Sequence, residues 1–404
     1  MKASLYIHIP FCKKKCDYCD FFSIGEADRL GKCNDLSDSY VASLVKEAGI
    51  YAKFYGISEW STVYVGGGTP SLLSPAQISF LFTGLKKIAP FEENAEVSFE
   101  ANPDDVCEEF LSACKNAGVN RLSMGIQALD DKALAGVNRG SSVKVITNAL
   151  ECLKNHWDGR LSVDFIAGLP FHAYASFKNQ FEILEKYPKI DHVSLYTLMV
   201  EENTPLWKKI EDGKINHSYE KADKMWLMGR NILEKLGFEH YEVSSFARKG
   251  FESRHNQAYW TQKSYVGLGA GATGTIYDFE NGKALRWTNT LSIPAYIQGV
   301  EKCLSENGNP SFLKRNVENI EEETLEFEFL MLGFRRREGV SSSDYEQRFK
   351  KSLEKRIGAE TESGVFSTWK KNRLAKEKKS KEGKTYSLNK RGILLLNRFL
   401  EELL

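Results

Sequence analysis

The stretch HIPFCKKKCDYCDFF, residues 8–22, puts Cys12, Cys16 and Cys19 within eight residues. It directly follows the strand-like run SLYIHI (4–9). In a parallel barrel the loop after a strand lies at the C-terminal mouth, where active sites are built. The spacing C-x3-C-x2-C lets one tight loop offer three thiolates to one face of a metal body. A [4Fe-4S] cube needs four iron ligands, so three from protein leave one iron open for a small chelating molecule. Two other readings stay open at this point. One is a zinc site with a distant fourth ligand, His8 being close by. The other is three unligated thiols.

Working outward, short apolar or β-branched runs recur at STVYVGG (61–67), AEVSFEA (95–101), RLSMGIQ (121–127), RLSVDFIAG (160–168) and HVSLYTLMV (192–200). Helical patterns separate them, such as DSYVASLVKEAGIYAKFYG and SPAQISFLFTGLKKIA, the second opening on a Ser-Pro start. DDVCEEFLSACKNAG closes on Gly118, a helix stop. Strands alternating with helices imply βαβ units and a parallel sheet. The fold class is therefore α/β: a partial (β/α)6 TIM-like barrel over residues 1–240. Residues 241–310 form a connecting segment in which HYEVSSFA reads as a strand and GLGAGATGTI (267–276) is glycine-rich. Residues 311–404 read as a small, mostly helical, winged-helix-like domain. There ENIEEETLEFEFLMLGFR (318–335) is an amphipathic helix, KEGKTYSLN marks a hairpin and KRGILLLNRFLEELL a last helix.

The totals narrow the class. With 42% hydrophobic and 27% charged residues the chain buries a full core. A net charge of +1 exerts no global pull on nucleic acid or anionic membrane. Eight cysteines in 404 residues are too sparse for a disulfide scaffold and fit a reducing compartment with one metal site. The N-terminus lacks the apolar core of a signal peptide, and no run of about 18 apolar residues appears, so a cytoplasmic protein is expected. Cys33, in the obscure stretch GEADRLGKCNDLSD (25–38), is read as a free thiol.

The other strand ends carry polar groups of their own: Gly66 to Pro70 in GGGTP, Glu100 in FEANPDD, Gln127 in SMGIQALDD, Arg139 in VNRG and Asp164 in VDFIAGLP. Glycines admit close approach of a ligand to backbone. A lone Asp in an apolar strand is costly unless hydrogen-bonded. Any one of these has an ordinary structural explanation, but such an explanation would scatter them over both barrel faces. The cysteine spacing, with Tyr18 before the last Cys, resembles the signature of the radical S-adenosylmethionine (radical SAM) superfamily. That resemblance implies a [4Fe-4S] cluster on Cys12, Cys16 and Cys19, with the cofactor's methionyl amine and carboxylate on the open iron. It also implies one-electron cleavage to a deoxyadenosyl radical. YIHIPFC, GGGTPS, SFEANP, SMGIQ, DFIAGLP and the tail together resemble the oxygen-independent coproporphyrinogen III oxidase group. By that resemblance Tyr6, Gly67, Gly68, Thr69, Glu100, Gln127, Arg139 and Asp164 line the S-adenosylmethionine site.

The group holds radical decarboxylases of coproporphyrinogen III and the heme chaperone branch HemW. Three features point to the chaperones. Phe21 stands where the oxidases carry a further cysteine. The first strand begins within a few residues of Met1, without the oxidases' N-terminal extension. RHNQAYW (254–260) matches the H-N-x-x-Y-W motif of HemW. The resemblance implies heme as a further ligand at His255, Asn256, Tyr259 and Trp260. Histidine is a standard heme axial ligand, the rings offer stacking faces, and Arg254 could meet a propionate. A packed, hydrogen-bonded histidine beside aromatics is the plain alternative. The implied function is heme transfer to acceptor hemoproteins, respiratory enzymes among them, with peripheral membrane contact as a further expectation. The alternative is conversion of coproporphyrinogen III to protoporphyrinogen IX. The basic run KKNRLAKEKKSKEGK (370–384) in a winged-helix-like tail admits a nucleic-acid module. EELL and EEETLEFE offset it, and no nucleic-acid partner is expected.

Overall fold

The computed structural model describes residues 1–25, 33–381 and 383–404. Six strands run parallel in chain order: β1 (Lys2–Ile9), β2 (Glu59–Gly67), β3 (Phe91–Ala101), β4 (Arg121–Gln127), β5 (Arg160–Ala167) and β6 (Ile190–Thr197). Helices fill the crossovers, notably α1 (Cys33–Tyr55), α2 (Pro75–Ile88), α3 (Glu108–Ala117) and α4 (Val143–His156). Ser74 caps α2 in a capping box with Gln77, and Gly118 ends α3 in the left-handed conformation that glycine alone adopts freely. This is the expected six-unit α/β barrel, left open. On one side β6 takes the antiparallel pair β7 (Glu239–His240) and β8 (Ser245–Ala247), so HYEVSSFA is two strands about a turn. α5 (Tyr219–Lys235) packs behind them, and α6 (Arg254–Trp260) follows.

On the other side β1 takes β9 (Tyr265–Leu268) in parallel. The sheet then continues antiparallel through β10 (Thr273–Asp278), β11 (Lys283–Asn289) and β12 (Arg315–Ile320). Residues 241–310 thus extend the barrel sheet and, with α7 (Ile293–Ser305), its hydrophobic core. A second core gathers around α8 (Glu322–Phe334), the last helix and a three-stranded sheet of β13 (Val340–Ser341), β14 (Ala375–Ser380) and β15 (Gly383–Leu388). The expected helix 318–335 starts at Glu322, because Glu318 to Ile320 pair with Arg286, Leu285 and Ala284 of β11. Among the described residues no helix is long and apolar enough to cross a membrane.

Alternation fixes what each barrel face carries. In β1, Leu5, Ile7 and Ile9 are buried in the core beside Val41 and Leu44 of α1. Ser4, Tyr6 and His8 take the opposite face, as do Thr62 and Tyr64, Glu96, Ser98 and Glu100, Ser162 and Asp164, and His192 and Ser194 on other strands. The lumen is therefore polar, and its groups are buried against one another.

Candidate cofactor site at the barrel mouth

Cys12 ends a two-residue pairing of Phe11–Cys12 with Ile24–Gly25, which folds the loop back on its own start. Asp17 pins the loop from three sides. Its N–H donates to the Val137 carbonyl at 3.0 Å, its carbonyl accepts from Leu206 N–H at 2.9 Å, and its carboxylate meets Lys209 Nζ at 2.5 Å. Cys12 and Cys16 are buried, Cys19 is half-buried, and all three are free thiols. Burial, and then the thiols of Cys16 and Cys12 beside it, push Cys19 up to about 11. A cationic body among the three would reverse that shift, because thiolate is the form that ligates metal.

His8, the nearby alternative ligand, has both ring nitrogens engaged. Nε2 lies 2.8 Å from the Phe22 carbonyl, which can only accept, so Nε2 carries the proton. Nδ1 then accepts from Tyr6 Oη at 2.9 Å. Among the described residues no three His, Cys, Asp or Glu side chains converge on a single ion. Three free thiols with His8 already engaged are the donor chemistry that an iron–sulfur cluster takes. Of the segment 25–38, the Cys33 side chain and residues 26–32 lie outside the described positions, and the free-thiol expectation for Cys33 with them.

β2 brings its glycines onto this loop. A Cβ on Gly68 would stand 3.0 Å from Cys12 Sγ and 2.8 Å from the Phe11 carbonyl oxygen. Gly67 has φ +113°, and a Cβ there would meet the His8 ring at 2.7 Å. Thr69 Oγ1 donates to Cys12 Sγ at 3.5 Å. From the far side Arg139 Nη1 reaches Cys16 Sγ at 3.7 Å, while Nη2 donates to the Gly125 carbonyl at 2.8 Å and to Asn102 Oδ1. Arg139 Nε is buried without a partner. Gln127 ends β4 at φ +67°, beside a register shift between Gly125 and Gln127. That is an uncommon conformation for a side chain other than glycine, of the kind that gathers at functional sites.

Below the glycines, Glu100 accepts from Tyr64 Oη at 2.7 Å and from Gly67 N–H at 3.2 Å. Burial raises it to about 7, with the Asp164 charge adding to the rise. Asp164 accepts from Ser123 Oγ at 3.3 Å and is raised by burial to about 6. Tyr6 stands deeper, 6.3 Å from Tyr64. The structure thus gathers Gly67, Gly68, Thr69, Glu100, Arg139 and Asp164 with the cysteine loop, and Gln127 at their edge. The sequence reading missed Tyr64, Ser123 and Asn102, which hold these side chains. Strand alternation through Thr62, Tyr64 and Gly66 could have found Tyr64.

The residues expected to contact heme separate. Thr62 and Glu96 pair in register with each other and with Ser4, near the strand starts, so α6 lies at the barrel floor, away from the cysteine loop. His255 is 1% exposed; its Nδ1 meets Thr62 Oγ1 at 2.8 Å and its Nε2 meets Tyr259 Oη at 2.8 Å. Burial lowers it to about 3. Tyr64 stacks on its ring at 5.1 Å. His255 and Tyr259, four apart, share the lumen face of α6, whereas Trp260 looks toward the tail. Arg254 is taken up by the Asn94 carbonyl and by Glu92 at 3.9 Å. Phe21 is 65% exposed beside the cysteine loop.

The profile of the Radical SAM superfamily matches residues 6–184. The chain is 32% identical over 356 residues to "Heme chaperone HemW" of Lactococcus lactis subsp. lactis, covering 88% of this chain and 87% of that protein. It is 31% identical over 353 residues to the protein of the same name from Bacillus subtilis, covering 87% and 88%. The mitochondrial "Radical S-adenosyl methionine domain-containing protein 1" of Bos taurus is 34% identical over 352 residues, covering 86% and 76%. Coproporphyrinogen III oxidase (HemN) from Escherichia coli superposes with a TM-score of 0.80 at 22% identity, covering 100% of this chain and 90% of that one, so the two share a fold. Likeness to the chaperones extends well past the thiol loop, through most of both chains, and the chain belongs to the HemW family within the radical SAM superfamily.

Proposed function

We propose that the protein binds heme and transfers it to acceptor hemoproteins, and that it holds a [4Fe-4S] cluster and S-adenosylmethionine at the barrel mouth. The likeness to named heme chaperones over 88% of the chain carries this reading. Cys12, Cys16 and Cys19 hold the cluster; Gly67, Gly68, Thr69, Glu100, Gln127, Arg139 and Asp164 receive the methionyl cofactor, and Tyr6 supports them from below. Bound there, the pair supplies one-electron chemistry. The chain's own part is to fix the loop through Asp17 and to offer Glu100, an ionisable carboxylate, behind Gly67. α6 is the heme-contacting element. His255 becomes available to iron when Tyr259 releases Nε2.

Respiratory hemoproteins are the proposed recipients. Peripheral membrane contact would fall to the basic run 370–384. The free thiols support a cytoplasmic site of action. Titration of the purified protein with heme, followed by its Soret band, tests the function, with His255→Ala alongside. Saturable binding is expected in the wild type, with loss or displacement of the band in the variant. Equal affinity in both removes His255 as ligand, and no binding in either removes the carrier reading. The oxidase-like fold and the gathered mouth favour one competitor, oxidative decarboxylation of coproporphyrinogen III. Anaerobic formation of protoporphyrinogen IX and carbon dioxide by the reconstituted protein would establish it instead.

A further inference from the structure

At the barrel floor α6 and the β14–β15 hairpin face each other across a cleft of about 920 Å3, within the size range of cofactor sites. Gln257 and Trp260 form one wall. Lys376 and Lys378 form the other with Thr385 and Ser387. These four share one face of the hairpin, because alternate residues point the same way and the register pairs Lys376 with Ser387 and Lys378 with Thr385.

Three observations on these walls call for a ligand. Trp260 Nε1 is buried without a partner, and the Arg335 guanidinium lies 4.6 Å over the ring. Arg348 rests 4.9 Å over Phe329 and donates to the Thr261 carbonyl at 3.1 Å, yet its Nη1 is buried with no acceptor. Lys376 and Lys378 are exposed and make no ion pair among the described residues, whereas Arg336 and Arg337 are neutralised by Glu338 and Glu239. Asp344 and Glu252 also line the cleft, and Asp344 faces Arg348. Buried donors without acceptors are rare enough to require a reason. Here they stand beside an aromatic face and unmatched ammonium groups. A flat, apolar molecule bearing carboxylates suits the aromatic wall and the unmatched ammonium groups.

We infer that this cleft docks the porphyrin by its plane and its carboxylates, against Trp260 and Arg348 on one side and Lys376 and Lys378 on the other, with iron taking no part in docking. The inference rests on the heme-carrier reading and gives that ligand its place. No His, Cys or Met is among the described residues lining the cleft, so it offers iron none of its usual soft or imidazole ligands. His255 lies behind, on the lumen side of α6. Docking and iron ligation are therefore separate events on two faces of one short helix.

The test is fluorescence titration of the full chain with iron-free protoporphyrin IX, its dimethyl ester and heme. The variants are Lys376→Glu/Lys378→Glu and, as a charge-matched control outside the cleft, Lys379→Glu/Lys381→Glu. Far-UV circular dichroism verifies the fold of each. Wild type and the control should bind protoporphyrin IX alike. The double variant should bind it about tenfold or more weakly, a change of about 1.4 kcal/mol. The ester should not distinguish wild type from the double variant. Equal binding of protoporphyrin IX by the double variant overturns the inference. So does binding of heme without binding of the iron-free porphyrin, which leaves the carrier reading intact. Failure to bind any of the three overturns both.

Discussion

Gly68 sets how closely β2 can approach the cysteine loop. A methyl group there meets the Phe11 carbonyl and Cys12 Sγ, the sulfur proposed to ligate the cluster. Gly68→Ala should keep its far-UV circular dichroism and lose iron–sulfur absorption on reconstitution, as Cys16→Ser should. Cys107→Ser, at an exposed thiol outside the C-x3-C-x2-C segment, should load normally. Tyr64→Phe removes one of the two donors that favour ionised Glu100, so the carboxyl should rise further above about 7. S-adenosylmethionine affinity at neutral pH, measured by equilibrium dialysis, should then fall about tenfold, the worth of roughly one charge-assisted hydrogen bond. The cysteine trio and the strand-end groups were legible because spacing and strand position are one-dimensional facts. Tyr64 and Asn102 were not, since their importance lies in which side chain they hold. The H-N-x-x-Y-W motif was legible as a word but not as a surface, because a helix turns consecutive letters onto different faces.

At the scale of elements, α6 is held by β3. Glu96 accepts from Ser253 Oγ at 3.3 Å, Arg254 N–H at 3.1 Å and His255 N–H at 2.9 Å, with Arg121 and Arg160 each at 3.8 Å. Glu96→Ala strips the first N–H groups of α6 of their acceptor and takes one carboxylate away from two guanidinium groups. Urea denaturation should show a loss of about 3 kcal/mol. Retention of full stability would mean that α6 is seated by its apolar contacts alone. The six parallel strands were readable from sequence because burial on their core face leaves an apolar rhythm. β11 and β12 were not. β12 reads RNVENI and is exposed along most of its length, so only pairing with β11 makes it a strand. The same pairing took Glu318, Asn319 and Ile320 away from the helix that their composition suggested.

For the molecule as a whole, buried ionisable groups oppose each other in their pH dependence. Burial lowers His8, His172, His192, His217, His240 and His255 below 6.5, so the unfolded chain binds more protons and stability rises with pH up to about 6.5. Burial raises Glu47 and Glu100 to about 7, and Asp164 and Asp191 to about 6. For these the folded chain binds more protons, so their contribution is present below about 4.5 and is lost as pH rises through about 7. Thermal melts of cluster-free protein should therefore peak near pH 6.5. A steady climb past pH 8 would contradict this balance. The barrel's edge carries a last consequence, for synthesis. β9 lies parallel to β1 yet leaves the ribosome more than two hundred residues later, roughly 10–50 s at ordinary elongation rates. Until then the nascent first strand has one flank unpaired, and Glu96 waits for a helix not yet made. A fragment ending at residue 240 should aggregate rather than fold, and the growing chain is a natural client for a holdase.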